Sequence, residues 1–291
     1  YKFEDGILIV INQKPEHDYF YFDYSPKLDR RIHEIYETHF RLVTHDKSKA
    51  IFDSTNQRNR RIAREKLYAE LCELLNFNDE VIYIPAGRSF ISVLAGQLQE
   101  LHPHTLDYPV RRFIERVNLS KKVFGKSLKN IVREYTATQL APPNSQKIYP
   151  LINLMKQILK GEYRDHMDGG RLYINNDDFV KINVASSGQQ ESLWILLLLF
   201  LTALENVKAY IFIEEPEAHL YPVAQKDMMA LICYLHNQFQ NRVFITTHSP
   251  YIMASANDHI YAGKLGPMNP NAVAEIVPQS QWVDPMMVSG Y

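Results

Sequence analysis

Residues 209–222 read AYIFIEEPEAHLYP, and this stretch decides the fold. An apolar run of aromatic and β-branched residues reads as a strand, and it delivers two adjacent carboxylates, Glu214 and Glu215, to its C-terminal end. In open α/β sheets ligands bind at that edge, because loops and helix N-termini converge there. One carboxylate can hold Mg²⁺, usually through water, since this cation keeps several of its waters. Its neighbour can orient and deprotonate an attacking water. Taken alone, the pair could equally be the solvated end of a strand.

Working outward, the pattern repeats. Upstream, NVASSGQQE at 183–191 leads into an apolar helix over about 189–206. Two serines and a glycine there place hydroxyls and free backbone N–H groups at a positive helix N-terminus, which suits a phosphate. The alternative is a plain serine cap with Glu191 completing a capping box. Downstream come a helix over 222–240, a strand over 242–246 that runs into the polar loop TTHSP, and a strand over 259–262. By itself His248 in that loop is more often a hydrogen-bonder than a catalyst. Strands alternating with helices predict a parallel sheet with crossover helices.

Farther from the centre, Asp168-Gly-Gly170 signals a turn between Tyr163 and the alternating residues 171–174, and 179–184 reads as another strand. Residues 6–11 and 19–24 predict an antiparallel β patch, and 81–84 a buried strand stopped by Pro85-Ala-Gly87. Helical spacing marks 27–66, 89–101, 109–117, 128–139 and 148–159. The expected plan is an α/β core: a mixed or parallel sheet flanked by helices, plus the antiparallel patch. Residues 1–26 and 161–291 form its two parts, and a mainly helical, basic insertion over 27–160 carries the strand at 81–84.

The 291 residues are 46% hydrophobic and 22% charged, which excludes wholesale disorder and collagen-like structure. The net charge of −1 excludes a uniformly basic coat, but charge is uneven. Residues 27–66 hold 11 basic and 6 acidic side chains, and residues 111–133 hold 8 basic and one acidic. One such run is usually a solvated helix face; two favour a surface for a polyanion such as DNA. Cys72 and Cys233 cannot make a disulfide framework, and no CxxC suggests zinc, so a cytoplasmic setting is expected. The longest apolar run, 193–201, has nine residues, well short of the ~20 of a membrane span, and predicts a buried core helix.

In this order and spacing, the three polar segments resemble ATP-binding-cassette ATPases of the SMC/RecF-like kind. ASSGQ at 185–189 looks like their signature motif, IFIEE at 211–215 their Walker B strand, PEAHL at 216–220 the D-loop region, and THSP at 247–250 the switch-histidine loop. EEPEAHLYP with TTHSPYI is similar to OLD-type and PtuA-like ATPases, the AAA/ABC hybrids found in bacterial anti-phage systems. The resemblance implies ATP and Mg²⁺ as ligands, Glu215 as general base, Glu214 as the Mg²⁺-side carboxylate where most relatives have Asp, and His248 as sensor of the γ-phosphate. It implies that Ser186, Ser187, Gly188 and Gln189 meet the ATP of a second subunit in a head-to-tail dimer, with Gly188 leaving space for the phosphate. Arg88, in VIYIPAGRS at 81–89, is expected near the nucleotide.

One departure stands out. GxxxxGK[ST] is not found: the only GKS, Gly125-Lys126-Ser127, follows Ser120 where the motif needs Gly and lies in helical, basic sequence. The resemblance puts the P-loop before Tyr1 and, in OLD-type proteins, a TOPRIM nuclease domain after Tyr291. The expected function is an ATPase that closes as a dimer on ATP and acts on DNA or controls a nuclease or effector partner in anti-phage defence. A RecF-type repair ATPase and a nucleotide-binding scaffold with little turnover are the alternatives.

Overall fold

The computed structural model describes residues 9–13, 20–44, 62, 66, 67, 69–74, 79–90, 107–138, 144–175 and 177–290. The chain forms two compact units, Tyr1–Asn78 and Asp79–Tyr291. In the first, β1 (Ile9–Gln13) pairs antiparallel with β2 (Phe20–Tyr24), placing Ile11 opposite Phe22. Helix α1 (Pro26–Thr44) follows, opened by a proline whose fixed φ suits a helix start. It buries Leu28 and Ile35, about two turns apart on one face. Of the helix expected over 89–101 only Ser89 and Phe90 are described, both helical, and most of the helical sequence between 45 and 66 lies outside the described residues.

The second unit opens with β3 (Glu80–Ile84), then α2 (Tyr108–Lys121), α3 (Leu128–Thr138) and α4 (Ser145–Leu159). Helix α4 buries Ile148, Leu151, Ile152, Met155 and Leu159, the stripe that 3.6-residue periodicity places on one face. A three-stranded antiparallel sheet follows: β4 (Glu162–Arg164), β5 (Arg171–Tyr173) and β6 (Phe179–Lys181). Its first turn uses Gly169 at φ +113°, a conformation open to glycine alone at little cost.

Next come α5 (Ser187–Leu204), β7 (Ala209–Glu214), α6 (Pro222–Phe239), β8 (Arg242–Thr246) and α7 (Pro250–Leu265). A short helix α8 (Pro270–Ile276) leads into a C-terminal segment pinned by Asn237 Nδ2, which donates to the carbonyls of Ser280 and Trp282 at 3.0 and 2.6 Å. Strands β3, β7 and β8 make a parallel sheet in the order β3-β7-β8, with Ile82 opposite Ile211, and Ile213 between Ile84 and Ile245. Period-two alternation sends Ile82, Ile84, Ile211 and Ile213 into the core and leaves Val81, Phe212 and Phe244 exposed.

Helix α5 is apolar around its whole circumference and is the centre of the core. It is long and apolar enough to cross a membrane, but 83% of it is buried inside the protein, as a core helix requires.

The strand at 81–84 pairs along its whole length with β7, and the chain divides into two compact units between Asn78 and Asp79, where the expected bounds were 26 and 160. Local periodicity carries no record of a partner more than 120 residues away. The strand expected over 259–262 lies inside α7. Ser249 caps that helix, accepting from the backbone N–H groups of Tyr251 and Ile252, and Pro250 occupies its first position. Cap and proline together start a helix that a four-residue apolar run cannot interrupt.

Candidate functional site at the carboxyl edge of the sheet

The parallel strands bring three loops to one edge: the one after β3, the one after β7 and the one after β8. Glu214 ends β7 with both carboxylate oxygens engaged. Tyr83 Oη donates to Oε1 at 2.7 Å, and the Ala86 backbone N–H donates to Oε2 at 3.1 Å. Burial, helped by that bond to Glu214, pushes the Tyr83 hydroxyl up to about 12, so it remains a proton donor at neutral pH. Glu215 is held differently. Its backbone is left-handed, φ +43°, and its N–H donates to the Thr246 carbonyl at 2.9 Å. That twist turns its side chain away from Glu214's supports and toward His248, whose Nε2 lies 4.0 Å from Glu215 Oε1. The Glu215 side chain is 43% exposed and that of His248 is 92% exposed. One carboxylate is therefore anchored and its neighbour is open.

His248 is positioned through its main chain. Glu217 Oε1 accepts from Thr247 Oγ1 at 2.7 Å and from the His248 N–H at 2.8 Å, tying the loop after β8 to the turn after β7. Glu217 Oε2 is buried without a donor among the described residues. Replacing Glu217 with alanine removes both hydrogen bonds to a charged acceptor, so urea unfolding is expected to show a loss of about 1–3 kcal/mol. A loss under a few tenths would mean that water holds the loop equally well.

The loop before α5 splits into exposed and buried halves. Ser186 caps the helix: its Oγ accepts from the Gln189 N–H at 3.3 Å, and Gln189 Oε1 accepts from the Ser186 N–H at 3.1 Å. Gln189, not Glu191, completes the capping box, because it is the third residue counted from the cap. Ser186 and Ser187 are exposed, whereas Gly188 is buried. A Cβ on Gly188 would come 2.5 Å from the His219 carbonyl oxygen. The missing side chain at Gly188 therefore admits the turn after β7, whose His219 is itself left-handed at φ +58°.

Arg88, expected near the nucleotide, is completely enclosed, at 0% exposure. Burial pulls its guanidinium down from its usual range, and Glu191, Glu215, Glu217 and Glu214 pull it back. Its donors meet backbone carbonyls of the site rather than open space. Glu191, Glu217 and Tyr83 were missed as site residues by sequence reasoning. The third carboxylate in EEPE was the available signal for Glu217; nothing local marked the other two.

The donors present fit a hard cation. Glu214 keeps lone pairs beyond those used by Tyr83 and Ala86, and an all-oxygen set with water suits Mg²⁺. Among the described residues no cluster of three His, Cys, Asp or Glu side chains converges, so the rest of the shell would come from water and phosphate. The Gly125-Lys126-Ser127 segment is not a phosphate loop. It joins a 3₁₀ turn to α3, and Lys126 Nζ is spent on Glu134 at 2.7 Å.

Residues 8–253 match the family described as AAA ATPase domain. The chain belongs to the AAA ATPase domain family. No curated protein matches it by sequence. The matched residues include the β3-β7-β8 sheet and the loops at its carboxyl edge, which are therefore part of an ATP-binding ATPase domain.

Proposed function

We propose that this AAA-family chain is an ABC/SMC-like ATPase in which Glu215 activates water and Glu214 stands on the Mg²⁺ side. The carrying observation is the contrast between the neighbours: Glu214 is locked by Tyr83 and Ala86, while Glu215 is open and faces His248. A general base needs a lone pair open to water; each Glu214 oxygen already accepts a protein hydrogen bond, whereas the Glu215 carboxylate is open beside His248. His248, on a loop braced by Glu217, is placed to respond to charge beside Glu215. Mg²⁺, when bound, would offset the phosphate charge. ATP turnover by the intact protein, wild type against Glu215→Gln, tests this reading; equal rates would leave a nucleotide-binding scaffold.

Ser186 and Ser187 are exposed at the start of a core-anchored helix, and since the Ser186 hydroxyl is engaged with Gln189 in the cap, Ser187 is the better suited to meet the ATP of a second copy in a head-to-tail dimer. Action on DNA, together with a nuclease or effector partner in bacterial anti-phage defence, is the setting we favour.

For the polyanion surface, the side-chain pairing narrows the candidates. Arg112 pairs with Glu115 at 2.9 Å, Arg116 pairs with Glu80, and the Arg111 guanidinium lies 5.5 Å from the Tyr108 ring centre. Lys129 and Arg133, one turn apart on α3, are exposed. Reversing both charges is expected to reduce the log–log salt slope of duplex-DNA binding by about 0.9 for each phosphate no longer neutralised. Arg116→Glu should leave it unchanged. The opposite ranking would move the surface to α2.

A further inference from the structure

We propose that Arg88, clamped to Glu191, is a positioning residue that fixes the main chain of Glu214 and Glu215 against the first turns of α5. The assignment rests on the reading of Glu215 as the water-activating group. It differs from nucleotide contact, because every bond of the guanidinium is internal. Nη1 donates to the carbonyls of Pro85 and Glu214 at 2.5 and 2.7 Å, Nη2 to that of Glu215 at 2.9 Å, and Nε to that of Glu191 at 2.9 Å. The Glu191 carboxylate closes the bracket from the other side. Its Oε2 accepts from the Arg88 N–H at 2.8 Å and lies 3.5 Å from Arg88 Nε, and its Oε1 accepts from the Ser89 N–H at 2.9 Å.

Three segments thus meet on one side chain: the loop after β3, the end of β7 and the start of α5. A buried ion is tolerated when paired and hydrogen-bonded, and here four of the five guanidinium N–H groups donate to carbonyls while both Glu191 oxygens accept. The need for it lies in Glu215. A left-handed backbone at a non-glycine residue costs of order 1–3 kcal/mol and persists only where its surroundings enforce it. Arg88 grips the carbonyl on each side of that twist. Glu191 lies on the same helix as Ser186 and Ser187, so the exposed hydroxyl loop and the open carboxylate are held as one body. Lysine cannot replace the arginine, because a point donor lacks the planar fork that spans several carbonyls.

The test uses the intact protein with Arg88→Lys and, as the milder variant, Glu191→Gln. Arg88→Lys is expected to lower kcat about 10–100-fold, the range for supporting partners of a site, with ATP affinity unchanged. Glu191→Gln should fall in the same direction by less. A core control, Leu151→Ala, should lower the melting temperature by at least as much yet keep kcat below its melting point, separating positioning from general stability. Equal losses of kcat and ATP affinity would mean direct nucleotide contact and overturn the assignment, as would wild-type kcat in both variants. If Arg88→Lys does not fold, Glu191→Gln decides by the same criteria.

Amide exchange without nucleotide separates this idea from the ATPase reading. The Glu215 and Ala86 N–H groups should exchange about tenfold faster in the variants. Faster exchange in a protein whose wild type hydrolyses no ATP would sink the water-activation reading and leave the bracket standing. Unchanged exchange would sink the bracket.

Discussion

Glu215→Gln is expected to cut ATP turnover about 10²–10⁴-fold while nucleotide binding survives, the usual range for losing a general base. The substitution keeps shape and removes only the basic lone pair. The backbone that presents it is set by main-chain bonds, from its own N–H to Thr246 and from Arg88 to the flanking carbonyls, so the amide should fold into the same left-handed turn. Glu214 is not expected to take over, because Tyr83 and Ala86 fix both its oxygens and its remaining lone pairs suit the Mg²⁺ side. Steady-state hydrolysis with a parallel nucleotide-binding measurement checks this. Near-normal turnover in the variant would remove Glu215 from the chemistry.

The elements around this carboxylate were legible because their signals are local. Short apolar runs gave β8 at 242–246 and β7 within one residue of its end, and the longer uninterrupted apolar run gave a core helix where α5 lies. The Asp168-Gly-Gly170 turn foretold the pairing of Tyr163 with Leu172. What stayed hidden is long-range. The pairing of β3 with β7 draws Tyr83 to Glu214 across 131 positions, and no periodicity encodes that. Arg88 looked like a residue free to meet a ligand because sequence shows its charge and not its burial. Glu191 looked like half of a capping box because its distance from the cap depends on where the helix begins. A start at Ser187 makes Gln189 the box partner and leaves Glu191 to meet Arg88.

At Gly188 a local reading does not see what fills the space beside it. Its lack of a side chain suggested space for an incoming phosphate, but that space is filled by the His219 carbonyl. Gly188→Glu is therefore expected to damage the fold before it affects any partner. The new Cβ would sit 2.5 Å from a backbone oxygen in a turn fixed by two left-handed residues, Glu215 and His219. Overpacking of this kind costs about 1–3 kcal/mol, and a carboxylate forced beside a carbonyl oxygen in a buried position adds to it. Ser187→Glu makes the clean comparison. Ser187 is exposed at the first position of α5, where a negative charge is favoured by the helix dipole, so this variant should fold as well as wild type. If the loop meets the ATP of a second copy, Ser187→Glu in a Glu215→Gln background should block ATP-dependent dimer closure in sedimentation by like-charge repulsion. Gly188→Glu should instead show itself first in thermal melting. A Ser187→Glu protein that still closes as readily as Glu215→Gln alone would reduce 186–189 to a helix cap, and a Gly188→Glu protein with wild-type melting would show that the His219 turn can give way.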